Sequence, residues 1–177
     1  QDLQLEFIEK WLSRGRKSKD QFDKFFYLWI SLIVATRRFR THCGGWREDD
    51  TDRIKVIDYF NFNFEQIAHV LEMFRPQMEE LSSRQGSKYR NPIIDTGSGE
   101  LQRLFQGLAD YYSNGNDFPE KERAEAFAEL LNKIRNNVFH GIKDYTDTDD
   151  IHLLKLVNPI ILSIIESCEK LWKKPRN

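Results

Sequence analysis

The chain has 177 residues and a formal net charge of −1 at pH 7, with 40% hydrophobic and 31% charged residues. This composition is that of a folded domain, so we expect residues 1–177 to form one domain, and it argues against recruitment of nucleic acid by overall charge. Two cysteines, Cys43 and Cys168, give no disulfide framework and favour a reducing, cytoplasmic location. No metal-ligand spacing occurs in the sequence, and we expect no metal or other cofactor.

The first two predicted helices cover residues 2–11 and 20–40, and a basic run at 14–19 joins them. The run is either a solvated linker or a phosphate contact. The second helix is apolar on nearly every side, which predicts that it lies at the centre of the fold. Its apolar core is shorter than the roughly 20 residues that cross a bilayer, so no membrane association is expected.

Three arginines, Arg37, Arg38 and Arg40, close this second helix. Cations complement the partial negative charge at the carboxyl end of a helix, which gives them a simple structural role. Four residues separate Arg37 from His42, a spacing that recurs later in the chain. We interpret the Arg37/His42 pair as part of a capping cluster.

One interrupted helix or two adjacent helices are predicted over residues 52–81, with Pro76 disturbing the last turn. Residues 82–99 show no helical periodicity. Candidate RNA-binding residues lie in this segment, namely Arg84, Lys88, Tyr89 and Arg90, because they interleave positive charge with an aromatic ring. A surface loop without a binding role is the alternative.

The remaining predicted helices span residues 100–112, 120–139 and 150–173. Pro119 favours the start of the second of these, and the acidic segment before the third supplies capping residues. Pro159 is expected to bend the last helix. The whole pattern predicts an all-α bundle of about five to seven helices.

The residues with the strongest chemical interest are Arg135, Asn136 and His140, at the end of the 120–139 helix. Arginine binds phosphate oxygens bidentately and keeps its charge, and histidine titrates near neutral pH. Apolar residues recur at three- and four-residue steps along this helix. At about 100° per residue, Asn136 and His140 lie opposite that apolar face and Arg135 lies on its boundary.

Arg135 and His140 are five residues apart, which is roughly 140° around a straight helix. They therefore converge on one phosphate only if the helix unwinds at Gly141 or if two chains combine their motifs. Phe139 also lies off the apolar face, which suggests a partner surface.

The stretch from Arg135 to Gly141, followed by a charged loop and an Ile/Leu-rich last helix, resembles the HEPN superfamily, whose signature is Arg, four to six residues, then His. The apolar segment at 25–30, Phe-Phe-Tyr-Leu-Trp-Ile, is also similar to many HEPN domains. The resemblance implies a helical bundle that dimerises and, in many members, a metal-independent ribonuclease. Members serve as toxins, antiviral effectors and RNA-targeting parts of CRISPR systems. One toxin–antitoxin subclass has Tyr two residues after the His, where this chain has Ile142.

The expected function is therefore endoribonucleolytic cleavage of single-stranded RNA at a composite site in a homodimer. His140 would transfer a proton, Arg135 would hold the scissile phosphate, and Asn136 would orient either group. An antitoxin or another regulatory partner fits the family. The alternatives are a non-catalytic HEPN-like module that binds RNA, a nucleotide or a protein, and a helical scaffold with a chance motif.

Overall fold

The computed structural model describes residues 2–44, 50–83, 99–139 and 146–172, without the side chains of Ser83, Leu171 and Trp172. These ranges contain eight α-helices and no strand, which confirms the all-α prediction. The helices are α1 (Leu3–Lys17), α2 (Gln21–Cys43), α3 (Asp52–Phe62), α4 (Phe64–Met73), α5 (Arg75–Ser83), α6 (Gly99–Asn114), α7 (Glu120–Phe139) and α8 (Thr148–Trp172).

The predicted count of five to seven helices is too low, because residues 52–83 form three helices. α3 ends where the Asn63 side chain donates to the Tyr59 carbonyl oxygen at 2.8 Å. α4 ends at Phe74, whose φ of −105° and ψ of 29° leave the helical region. Pro76 then lies in the first turn of α5, where its missing amide breaks no helical hydrogen bond. Pro76 therefore accompanies a new helix start and does not disturb a last turn.

The helix starts follow from side chains that accept hydrogen bonds from the first exposed amides. Asp20 Oδ1 accepts from the amides of Phe22 and Asp23, both at 2.9 Å, and so caps α2. Asp147 Oδ1 accepts from the amide of Asp149 at 2.8 Å and caps α8. Each such cap is worth about 1 kcal/mol.

The predicted central position of α2 is confirmed. α2 packs against α1, α3 and α8. Trp29 and Ile33 are 3% and 8% exposed, and Leu32 is fully buried. A second layer forms around α4, which packs against α3, α5, α7 and α8. A single hydrophobic core runs through both layers and positions α7 against α3 and α4.

The end of α2 differs from the expected capping cluster, because two of its arginines are buried in ion pairs. Arg38 donates from Nε to Asp2 Oδ2 and from Nη1 to Glu169 Oε2, both at 2.8 Å. Arg40 pairs with Asp50 and Asp58. The two arginines therefore neutralise carboxylates inside the fold, while Arg37 is exposed.

α8 is the one helix in the described ranges whose length and composition would suit a membrane span, over Thr148–Lys170. In the structure 56% of its most apolar window is buried against the other helices, as in the core helix of a soluble bundle. α8 continues as a single helix through Pro159. Near its end the Cys168 side chain is fully buried beside Tyr59, and burial raises the pKa of the Cys168 thiol to about 12.

Candidate functional site

Two of the three predicted catalytic residues, Arg135 and Asn136, lie in the last turns of α7. His140, the third, lies outside the described residues, as do Gly141 and Ile142. The four candidate RNA-binding residues, Arg84, Lys88, Tyr89 and Arg90, also lie outside them. The structure therefore brings together Arg135 and Asn136, and the placement of the other five remains a prediction.

α7 orients its end through a buried apolar face. Ala124, Phe127, Leu131 and Ile134 are all fully buried, at the positions that the periodicity predicted. The helix begins where the Arg123 amide donates to the Pro119 carbonyl oxygen at 2.9 Å. With that face held against the core, Arg135 is left half-buried, with 30% of its side chain exposed, and Asn136 is exposed. Both positions match the prediction from the helical angle.

The Arg135 guanidinium lies among aromatic rings and has few polar partners. Its central carbon is 5.8 Å from the Trp29 ring centroid and 5.2 Å from that of Phe139. Nη1 donates to Asn136 Oδ1 at 2.9 Å. Nη2 lies 3.7 Å from Asp52 Oδ2, which is an ion pair but not a hydrogen bond. Nε is buried without a hydrogen-bond partner among the described residues.

These contacts position the guanidinium without using all of its donors. A guanidinium carries five N–H groups, and one hydrogen bond from Arg135 is seen within the described ranges. Cation–π contacts of this kind contribute about 0.5–1 kcal/mol each, and a half-exposed ion pair contributes at most about 1 kcal/mol. Within the described residues, the Arg135 side chain therefore has donors that no strong internal pair occupies.

Asp52, at the first turn of α3, is shared between two cations. Its Oδ1 lies 3.9 Å from the Lys55 ammonium nitrogen, and its Oδ2 faces Arg135. One and a half turns before Arg135, the buried Glu129 carboxylate accepts from Arg53 Nε at 2.9 Å. The face between α3 and α7 thus carries Arg53, Lys55 and Arg135 together with the carboxylates of Asp52, Glu125 and Glu129.

Two exposed rings border Arg135, and we call them the Phe26–Phe139 patch. Phe26 on α2 is 44% exposed and Phe139 on α7 is 39% exposed. Their centroids are 5.9 Å apart with an interplanar angle of 69°, an edge-to-face contact. Phe25 also contacts Phe139, at 6.5 Å. Phe139 thus lies off the core face, as its sequence position predicted, and joins a partner ring on α2.

Sequence reasoning missed Trp29 and Asp52 as neighbours of Arg135. The sequence predicts Trp29 in the core, where most of its ring does lie, and predicts Asp52 at the start of a helix. The contacts depend on how α2 and α3 pack against α7, which no local pattern encodes. The only available signal was the need of an arginine at the edge of an apolar face for an aromatic or acidic neighbour.

The three histidines within the described residues have surroundings different from those of Arg135. His42 Nδ1 lies 2.8 Å from the Arg38 carbonyl oxygen, and His152 pairs with Glu80. His69 is on the exposed side of α4. Within the described ranges no group of three or more His, Cys, Asp or Glu side chains is arranged to hold a metal ion. The site described on α7 therefore consists of Arg135, Asn136 and the side chains around them.

Comparisons with protein-family models, with curated proteins and with solved structures give no match to this chain.

Proposed function

We propose that this protein is a metal-independent endoribonuclease of the HEPN type that cleaves single-stranded RNA in the cytoplasm. The observation that carries the proposal is the state of Arg135. It lies in the last turns of α7, five residues before His140, is 30% exposed, and has donors that its contacts with Asp52 and Asn136 do not use. The order Arg, four residues, His is that of the HEPN signature.

In the proposed reaction the RNA supplies its own nucleophile. The 2′-hydroxyl oxygen attacks the adjacent phosphorus, its proton passes to a histidine, and the bond from phosphorus to the 5′-oxygen breaks. A second proton reaches the departing 5′-oxygen, which leaves a cyclic phosphate and a 5′-hydroxyl. His140 carries these protons, Arg135 stabilises the added negative charge on the phosphorane, and Asn136 orients the guanidinium through its 2.9 Å hydrogen bond.

The proposal includes a homodimer, because the five-residue offset separates Arg135 from His140 on a regular helix. A second copy would bring its own motif into the same cleft, so that one histidine acts as base and the other as acid. The Phe26–Phe139 patch supports a protein surface beside the motif, since exposed neighbouring aromatic rings are typical of interfaces. A toxin or antiviral role, with an antitoxin or regulatory partner, accompanies this family assignment.

The deciding experiment incubates the purified protein with end-labelled single-stranded RNA in EDTA. We expect cleavage by the wild type and a loss of about 10²–10⁴-fold in rate for His140→Ala, the usual cost of removing a general acid or base. Arg37→Ala is the matched control, because Arg37 stands in the other Arg-X4-His match and is exposed. Wild-type activity in His140→Ala, or activity that requires divalent metal, would contradict the proposal.

A second candidate function is a non-catalytic HEPN-like module that binds RNA, a nucleotide or a partner protein. The observation that favours it is the Asp52 carboxylate, 3.7 Å from Arg135, which competes with a phosphate for the guanidinium. The same RNA separates the two candidates. A binding module would slow the migration of full-length RNA in a gel, whereas a nuclease would produce shorter RNA.

A further inference from the structure

A cavity of about 250 Å³ lies between the end of α1, the beginning of α2 and the middle of α8. We call it the α1–α2–α8 pocket. It shares no residue with the surroundings of Arg135 described above. It is smaller than the roughly 300–1,000 Å³ of pockets that hold drug-sized ligands, so its size suits a small metabolite.

Positive charge dominates the polar part of this pocket. Arg16, Lys24 and Lys155 line it, and no acidic side chain does so among the described residues. Arg16 donates from Nε to Glu166 Oε1 at 3.1 Å, so its charge is partly balanced. Neither lysine has a carboxylate partner within 4.0 Å in the described ranges, which leaves two ammonium groups at one cavity without a counter-charge.

The backbone amides at the start of α2 cannot bind the anion in place of these two ammonium groups. The first amides of α2 are already capped by Asp20, at 2.9 Å each. The attraction for an anion therefore comes from the side chains of Lys24 and Lys155, which reach the pocket from two different helices. Like charges held together raise the affinity for an anion that can neutralise both.

The pocket wall also contains a buried carboxamide whose orientation is fixed. Asn158 is 1% exposed, and its Nδ2 donates to both the backbone oxygen and the Oε1 of Gln21 at 3.0 Å. Since both partners are acceptors, the nitrogen must face them, and the orientation of the carboxamide is fixed. Its Oδ1 is buried and has no hydrogen-bond partner among the described residues.

Pro159 leaves a backbone acceptor on the same helix without its helical donor. Proline has no amide hydrogen, so the carbonyl four residues earlier, that of Lys155, loses that hydrogen bond. Lys155 and Pro159 both line the pocket. A ligand with a hydroxyl group as well as an anionic group would match this acceptor and the lysines.

The remaining wall of the pocket is apolar, and its helices pack closely. Leu28, Leu162 and the Pro159 ring provide it. Gly15 brings α1 close to α2, since a Cβ at this position would lie 3.1 Å from Leu28 Cδ2. The carbon skeleton of a small ligand would be sheltered against these groups.

We propose that the α1–α2–α8 pocket binds a small organic phosphate that carries hydroxyl groups, of the size of a sugar phosphate. Lys24 and Lys155 bind the phosphate, with Arg16 at the rim. A hydroxyl group donates toward the Lys155 carbonyl oxygen. The site is independent of the proposed nuclease reaction and does not require it.

The test is calorimetric titration of the 177-residue chain with ribose 5-phosphate, with ribose and inorganic phosphate as separate probes. We expect saturable binding of one ribose 5-phosphate per chain, no detectable binding of ribose, and affinity for inorganic phosphate lower by tenfold or more. The proposal is overturned if ribose 5-phosphate shows no saturable binding at millimolar concentration, or if inorganic phosphate binds equally well.

Substitutions locate the site. Lys24→Gln and Lys155→Gln should each weaken ribose 5-phosphate binding about tenfold, because a charge-assisted hydrogen bond is lost in each. Lys170→Gln is the matched control on α8, since Lys170 is exposed and does not line the pocket. Thermal melts should be unchanged in all three variants. Binding that survives the Lys24→Gln/Lys155→Gln double substitution would overturn the proposal, whereas Arg135→Ala should bind ribose 5-phosphate normally whatever it does to RNA.

Discussion

The chain contains the spacing Arg-X4-His twice, at the end of α2 and at the end of α7, in two different environments. Around the first, Arg38 and Arg40 have side chains 7% and 4% exposed, and each pairs with two carboxylates. His42 Nδ1 there donates to the Arg38 carbonyl oxygen. Around the second, Arg135 is 30% exposed, lies against two rings and has one carboxylate at 3.7 Å.

The difference shows that the spacing alone does not define a site. Arg38 and Arg40 at the end of α2 are bound to carboxylates that the fold itself provides, so they stabilise structure and are closed to an external anion, whereas Arg37 beside them is exposed. Arg135 is oriented by weaker contacts and, within the described residues, has donors that those contacts do not use. Substitutions can test this contrast between guanidinium groups that are paired with carboxylates and the Arg135 guanidinium.

The largest effect is expected on catalysis. Arg135→Ala should lower the rate of RNA cleavage about 10²–10³-fold, the usual cost of removing one donor to a developing oxyanion. Because the side chain lies outside the core, the free energy of unfolding should change little. Single-turnover cleavage and a thermal melt of the same preparation provide the measurement. Equal losses of cleavage rate in Arg135→Ala and Arg37→Ala would show that the two motifs do not differ in function.

The next effect concerns stability at the end of α2. Arg38→Ala leaves the buried Glu169 carboxylate without its cation and should lower the free energy of unfolding by about 3–5 kcal/mol. Urea denaturation measures this value. The neighbouring exposed residue gives the control, since Arg37→Ala should stay within about 0.5 kcal/mol of wild type. A loss below about 1 kcal/mol for Arg38→Ala would mean that the pair is not essential to the fold.

A smaller effect is expected at Asp52. Asp52→Asn removes the carboxylate that faces Arg135 and should strengthen the binding of single-stranded RNA a few-fold, because a half-exposed pair contributes at most about 1 kcal/mol. The gain should shrink as salt is raised. Fluorescence anisotropy at two ionic strengths, with His140→Ala as background to prevent cleavage, measures it. Weaker RNA binding would show that Asp52 positions Arg135 and does not compete for it.

The smallest effect is a change in acid stability at Glu72, a carboxylate paired with Arg75 and Arg123. Burial alone would raise the pKa of Glu72, but hydrogen bonds from Tyr111 and Arg75 outweigh it and lower the pKa from its usual 4.5. Glu72 also accepts from Arg123 Nη1 at 2.6 Å. A lowered carboxyl pKa adds stability that is present above 4.5 and is lost as the pH falls through the folded-state pKa.

Glu72→Gln should therefore reduce the free energy of unfolding near neutral pH by less than about 1 kcal/mol, given solvent screening of this half-exposed group. The difference between this variant and the wild type in free energy of unfolding should vanish in acid. Urea titrations between pH 7 and pH 3 follow it. A difference that grows as the pH falls would reverse the assigned sign.

Local patterns predicted α7 well. Its bounds, Glu120–Phe139, match the prediction because a 3.6-residue periodicity and Pro119 both mark it. The sequence predicts a disturbed last turn at Pro76, where the structure has the start of α5, because proline disturbs a helix only if its amide is needed, and in a first turn it is not. Exposure of Arg135 and Asn136 also followed from helical angle alone.

Contacts between distant segments could not be predicted in this way. The partners of Arg38, Asp2 and Glu169, are 36 and 131 residues away along the chain. Asp52 and Arg135 are likewise joined only by the packing of α3 on α7. Whether an arginine is bound within the fold or available to a ligand is decided by such contacts, which is why equal spacing gave two unequal environments.

The burial of Cys168 makes α8 a chemical reporter of its own packing. The reactive form of a cysteine toward an alkylating agent is the thiolate, and a thiol with a pKa of about 12 contains almost none of it near neutral pH. Cys43 at the end of α2 is exposed, so iodoacetamide should label it first. Slow labelling of Cys168 would then follow the rate at which the end of α8 separates from Tyr59, and mass spectrometry of the two peptides would time that opening without any substitution in the chain.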